Sequence, residues 1–157
     1  MKRTLSALRS RNRGFTLIEL LVVIGILAVL LAIVLVAINP ARQFAQANNT
    51  QRSSDVNALL NAIHQYAADN NGQLPDGITN DPLTIGGGAS DADICSILVT
   101  DYLAALPVDP QLGDPIIESD CSTEYDTGYV VVSSAANNRI TVSAPTAELG
   151  ASISATR

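Results

Sequence analysis

Tryptophan is absent from this chain, and its other aromatic residues amount to two Phe and four Tyr. So few rings leave no interleaving of aromatic and basic side chains of the kind that builds a nucleic-acid surface. Positive charge is also scarce beyond the beginning. Lys2, Arg3, Arg9, Arg11 and Arg13 precede Gly14, and after it only Arg42, Arg52, Arg139 and Arg157 stand against all fifteen acidic residues. That balance opposes non-specific attraction to polyanions, so nucleic acid is not expected as a partner. One histidine, His64, and two distant cysteines, Cys95 and Cys121, fall short of a zinc ligand set. Gly86-Gly87-Gly88 lacks the flanking Lys and Ser or Thr of a nucleotide loop. His64 reads as a boundary contact on a helix rather than as a base. No catalytic residue and no enzyme activity are expected.

What the chain does have is apolar length in one place. From Leu20 to Ile38 no residue is charged. As a helix this run is roughly 29 Å long, about the thickness of a bilayer's hydrocarbon core. The 157 residues suffice for one modest domain, and the remainder is too small and polar to enclose so apolar a rod. The basic cluster ahead of the run places the N-terminus in the cytoplasm and sends the rest outward. Cys95 and Cys121 then lie in an oxidising compartment, where a single disulfide is the economical reading against two separate buried thiols. Closing such a loop stabilises a fold by roughly 3–4 kcal/mol in the chain-entropy picture.

Residues from Phe15 to about Asn70 read as one long helix in two chemical regimes. The first is apolar all round. In the second, Val56, Leu59, Leu60, Ile63, Tyr66 and Ala67 recur at spacings of three and four, leaving Asn57, Asn61, Gln65 and Asp69 for solvent. Pro40 at the junction predicts a kink, or simply the end of one helix and the start of another. Asn70-Asn71-Gly72 is a helix stop. The stretch through Gly88 reads as surface loop, and Ile94–Leu106 as a short helix ended by Pro107 and Pro110. The period then changes to two in Tyr129–Ser133 and Arg139–Ser143, which predicts antiparallel strands, with Tyr125 a candidate start for an earlier one. Ala144–Arg157 reads as a loose tail. The expected class is α+β: a long N-terminal helix, transmembrane then amphipathic, packed on a small antiparallel sheet.

Glu19 is the residue that calls for explanation, because an unpaired carboxylate at or inside a membrane is expensive. An interfacial Glu reaching water would account for it. A sharper account begins with a cut after Gly14, which would give Phe15 a charged amine one helical turn from Glu19. That amine could pair with Glu19 of its own chain or of a neighbour, and pairing with a neighbour would neutralise both charges and fix the axial register of the two helices.

Arg13-Gly14-Phe15-Thr16-Leu17-Ile18-Glu19, followed by the Leu20–Ile38 run, resembles the class III signal of type IV pilins and type II secretion pseudopilins. The resemblance covers roughly residues 9 to 40. It implies a pilin-like layout: a basic leader over 1–14, a transmembrane and filament-core helix over 15–38, an amphipathic stem over 39–71 and an exported globular domain over 72–157. It implies cleavage between Gly14 and Phe15 by a prepilin peptidase, with Phe15 open to N-methylation. It also implies copies of the same subunit, minor pilins, an inner-membrane platform and a cytoplasmic ATPase as partners, and membrane lipid before assembly. The location that follows is a single pass of the bacterial cytoplasmic membrane, then an extracellular pilus or a periplasmic pseudopilus. A pilus-like filament subunit leads; a pseudopilin of a type II secretion system, or a minor pilin of a DNA-uptake apparatus, are the alternatives. An ordinary secretory signal has its small-residue cleavage site after the apolar stretch, whereas here Gly14 precedes it.

Leu106-Pro107-Val108-Asp109-Pro110 is similar to the segment after the variable region in many pseudopilins. No cofactor is needed for such a role. Asp109, Asp114, Glu118, Asp120, Glu124 and Asp126 nevertheless crowd the sequence around Cys121, as in the calcium-holding loop of some pseudopilins. A solvated acidic surface is the plainer reading. The spacing is not that of an EF-hand, so no metal ligands are assigned.

Overall fold

A computed structural model describes residues 14–157, in two units divided after Pro40. The basic residues from Lys2 to Arg13, and the rest of the expected leader before Gly14, lie outside the described residues. In the first unit, helix α1 runs over Leu17–Ile38. Thr16 is its N-cap, in extended backbone at φ −84° and ψ 151°. None of its residues is buried, and its large apolar side chains from Leu17 to Ile38 are exposed on every side. Gly25 lies within it without interrupting it. The helix is long and apolar enough to cross a membrane and is of the membrane-anchoring type.

Asn39 ends α1 in the left-handed conformation, φ 49°, and helix α2, Pro40–Asp69, begins at the next residue. Of the two readings of the Asn39-Pro40 junction, the end of one helix and the start of another is the one observed. Proline suits the first helical position, since its missing amide would have no partner there. In the second unit α2 buries Val56, Leu59, Leu60 and Ile63, with Tyr66 and Ala67 half-buried, while Asn57, Asn61, Gln65 and Asp69 stay exposed. The helix stops where expected. Gly72 N–H donates to the Ala67 carbonyl at 2.7 Å, through left-handed Asn71 and Gly72.

The apolar stripe of α2 packs with a four-stranded antiparallel sheet in the order β1 (Leu83–Gly86), β2 (Asp126–Ser133), β3 (Ile140–Ala144) and β4 (Ile153–Thr156). Tyr129 and Val131 of β2 and Ile140, Val142 and Ala144 of β3 supply the buried face, two residues apart as a pleated strand requires. Val131 lies opposite Val142, which fixes the register of the central pair.

Three elements differ from expectation. β1 falls in the stretch read as loop, and its Ile85 is fully buried. Helix α3 covers only Cys95–Leu98: Val99 turns extended, and Thr100, at φ 80°, folds the chain so that its N–H reaches the Leu103 carbonyl. Leu103 and Leu106 reach the core from outside any helix. β4 forms within the supposed loose tail, paired residue by residue with β3 from Thr141–Thr156 to Ala144–Ile153. Tyr125 sits just ahead of β2 and starts no strand of its own.

The triplet Gly86-Gly87-Gly88 serves close packing. A Cβ on Gly87 would lie 2.7 Å from the Thr123 carbonyl and 2.9 Å from the Tyr125 ring, and Gly88 N–H donates to Asp91 Oδ2 at 3.1 Å. Cys95 and Cys121 are disulfide-bonded, 26 residues apart. The bond ties the segment after the short 3-10 turn Glu118–Asp120 to α3 through its buried Cys95. Peptide mapping without reductant should recover the two cysteine peptides linked. Replacing both by serine should lower stability by roughly 2–5 kcal/mol; free thiols in native material would refute the bond.

Candidate functional site

Gly14, Phe15, Thr16 and Glu19 form the head of α1. Residues 14–16 are not helical, and Phe15 is 81% exposed. The helix is stopped from growing backwards by a capping box. Glu19 N–H donates to Thr16 Oγ1 at 3.3 Å, and Glu19 Oε2 accepts from Thr16 N–H and from Thr16 Oγ1–H, each at 3.5 Å. The Gly14–Phe15 peptide thus lies in exposed, non-helical chain immediately before a capped helix. In this uncut chain Phe15 carries an amide nitrogen rather than an amine, and Glu19 is held by its own Thr16.

A second polar cluster sits inside the globular unit, centred on Arg52 of α2. Its side chain is fully buried. Nε donates to Asp109 Oδ2 at 2.7 Å and Nη2 to Asp109 Oδ1 at 2.9 Å, a bidentate pair. Nη1 reaches Glu148 Oε2 at 2.9 Å and Asn49 Oδ1 at 3.1 Å. Asn49 also exchanges two bonds with the backbone of Glu148, and Asn48 donates to its carboxylate. Thr146 Oγ1–H and the Gln111 N–H complete Asp109. One turn on, Tyr129 OH donates to Asp55 Oδ2 at 2.7 Å. α2 thereby holds the β3–β4 loop, the segment at Asp109 and strand β2.

The charges answer to this geometry. The Asp109 hydrogen bonds raise the Arg52 pKa above its ordinary value despite burial. Burial works to raise Asp109, but bonds from Arg52, Thr146 and the Gln111 amide outweigh it and hold the carboxyl at about 2. Arg52, then Asn48, holds Glu148 below its ordinary range. Burial, helped by Asp55, pushes the Tyr129 phenol up.

Residues 9–35 match the family model described as the prokaryotic N-terminal methylation motif. That match agrees with the resemblance to type IV pilins and pseudopilins and is confined to the N-terminal segment. No curated protein and no solved structure matched the chain. The matched stretch includes Gly14, Phe15, Thr16 and Glu19 and most of α1.

The acidic residues around Cys121 do not converge on one point. Asp109 turns inward to Arg52, Asp120 Oδ2 accepts the Ile117 N–H and Asp126 Oδ1 accepts the Gly128 N–H. Among the described residues no group of three or more His, Cys, Asp and Glu is placed to hold a metal ion. His64 is half-buried beside the apolar stripe, and its Nε2 has no hydrogen-bond partner among the described residues. The Arg52 cluster is what sequence reasoning missed. Its signal was present: Arg52 falls four residues before Val56 and seven before Leu59, on the face that the periodicity assigns to the core.

Proposed function

We propose that this chain is a structural subunit of a type IV pilus-like filament. It is inserted in the bacterial cytoplasmic membrane with its N-terminus inside, cleaved after Gly14, and assembled by bundling of α1. The observation that carries this reading is α1 itself, apolar and exposed on every face from Leu17 to Ile38. Such a surface needs lipid before assembly and other helices after it. Glu19 at its head would pair with the Phe15 amine of a neighbour, so that two charges costly in an apolar bundle vanish together only in correct register. Residues 1–14 act as the leader, 15–38 as the anchor and filament core, 39–71 as the stem and 72–157 as the exported domain. The prepilin peptidase, minor pilins, membrane platform and cytoplasmic ATPase are the partners of such a subunit.

The exposed, non-helical position of Gly14 and Phe15 supports the cleavage step, because a peptidase needs an accessible extended segment. Intact-mass measurement and N-terminal sequencing of native filaments should find Phe15 first, bearing a methyl group. A mature chain beginning after Ile38 would overturn both the cleavage and the filament-core assignments.

A further inference from the structure

We infer that Cys121 is the exchange site of the disulfide: external thiols enter and leave the Cys95–Cys121 bond through the Cys121 sulfur, and an acidic rim there favours cationic thiols over anionic ones. The two sulfurs are unequally placed. Cys95 is fully buried at the start of α3, within the hydrophobic core, and its N–H donates to Tyr125 OH at 3.2 Å. Cys121 is only partly buried and lines a surface cavity of about 310 Å³ with Ser96, Val99, Thr100, Glu118 and Ser122. A thiolate must touch the sulfur that it attacks, so access decides which of the two reacts.

The step balances without an outside oxidant, because one S–S bond is exchanged for another. A thiolate bonds to Sγ of Cys121 as the Sγ–Sγ bond breaks; Cys95 leaves as thiolate and takes a proton, and Cys121 carries the mixed disulfide. Closure is the reverse: Cys95 loses its proton, attacks Sγ of Cys121 and expels the thiolate. Opening and closing share one intermediate, and it sits on Cys121. Charge then selects the thiol. Glu118 is exposed on the cavity wall, Asp120 and Glu124 flank Cys121 in sequence, and no Lys, Arg or His occurs between His64 and Arg139. One carboxylate about 6 Å away changes the local concentration of a singly charged thiol about threefold, up for a cation and down for an anion. Cation and anion therefore separate by roughly tenfold at low ionic strength, a gap that salt narrows.

The test uses the full-length oxidised chain, folded in detergent and treated with excess thiol. Acid quenching at early times, followed by peptide mapping, should find the mixed disulfide on Cys121 at least about tenfold more often than on Cys95. Single-thiol chains approach the same intermediate from the other side: with cystamine, Cys95→Ser should form its adduct at least about tenfold faster than Cys121→Ser. The wild-type mapping decides even where a serine variant does not fold. For selectivity, opening rates with cysteamine and 2-mercaptoethanesulfonate are each divided by that thiol's rate with 2-hydroxyethyl disulfide, which cancels intrinsic reactivity. The ratio should favour cysteamine roughly tenfold at low salt and fall below about threefold in Glu118→Gln. Asp81→Asn removes the same charge from the loop before β1 and should leave the ratio unchanged. Mixed disulfide on Cys95 as often as on Cys121, or a wild-type bond that thiols open only in urea, would overturn the exchange site. A ratio unaltered by Glu118→Gln, or lowered equally by Asp81→Asn, would overturn selection by the rim.

Discussion

Arg52→Ala should lower the stability of Ala41–Arg157 by about 3–5 kcal/mol, the penalty for removing one partner of a buried ion pair. Asp109 would keep Thr146 and the Gln111 amide but lose both guanidinium bonds while staying fully buried. Glu148 is nearer solvent and can rehydrate, so the cost centres on Asp109. Urea unfolding should show a lower midpoint with an unchanged slope, as expected when stability changes and the surface exposed does not. Replacing the pair together, as Arg52→Met with Asp109→Leu, should recover much of the loss, since apolar substitutes for a buried ion pair are often neutral. A loss below about 1 kcal/mol for Arg52→Ala would place the cluster among weak surface bridges instead.

The same cluster sets an acid profile. Asp109 is held at about 2 against an ordinary 3.8, and Glu148 is held below its ordinary value. Folded values below the unfolded ones mean that the stabilisation is complete above about pH 4.5 and is lost as pH falls through the folded values. Wild-type stability from this source should thus be flat from pH 7 to about 4.5 and decline toward pH 2. In Arg52→Ala the decline should be shallower, because burial then raises Asp109 with no guanidinium to oppose it.

How much of this could be read in the sequence depended on how local the cause was. The head of α1 was legible because Gly14, Phe15, Thr16 and Glu19 lie within six consecutive positions and the apolar run follows directly. The stripe of α2 and the alternation in β2 and β3 were legible because each carries its own period over several residues. β1 and β4 were not. Each has four residues, and what makes them strands is the backbone of β2 and β3 alongside. The spacing of Leu98, Leu103 and Leu106 suggested a helix that the left-handed turn at Thr100 breaks. Arg52 escaped because its partners are 57 and 96 residues away, and a charge count treats it as one of a few exposed cations. Asp109 escaped for the complementary reason: in an acidic stretch it looks like its neighbours, yet it alone of that group turns to the buried guanidinium.

Glu19→Ala should leave the exported domain folded and the subunit in the membrane, yet abolish filaments, with yields on the order of a hundredfold lower or undetectable. The substitution lies in the first unit and replaces none of the core residues of Ala41–Arg157. It removes half of the capping box, but the Thr16 hydroxyl still accepts the amide of residue 19, and alanine favours helix. Lipid accommodates the variant more easily, since a carboxylate at the membrane boundary has gone. Leader cleavage should proceed, because residues 14–16 stay exposed. What fails is the last step. In a packed bundle the amine of a neighbouring Phe15 would lie buried without its counterion, and the register that satisfied both charges would have nothing to distinguish it. Glu19→Asp should be intermediate: it keeps the charge on a side chain one methylene shorter, in a helix whose position the bundle fixes. Electron microscopy of sheared fractions beside membrane immunoblots separates assembly from accumulation, and intact mass tests for a mature N-terminus at Phe15. Wild-type filament numbers from Glu19→Ala cells would refute charge pairing as the source of register, while cleavage at Gly14 would stand or fall by the mass alone.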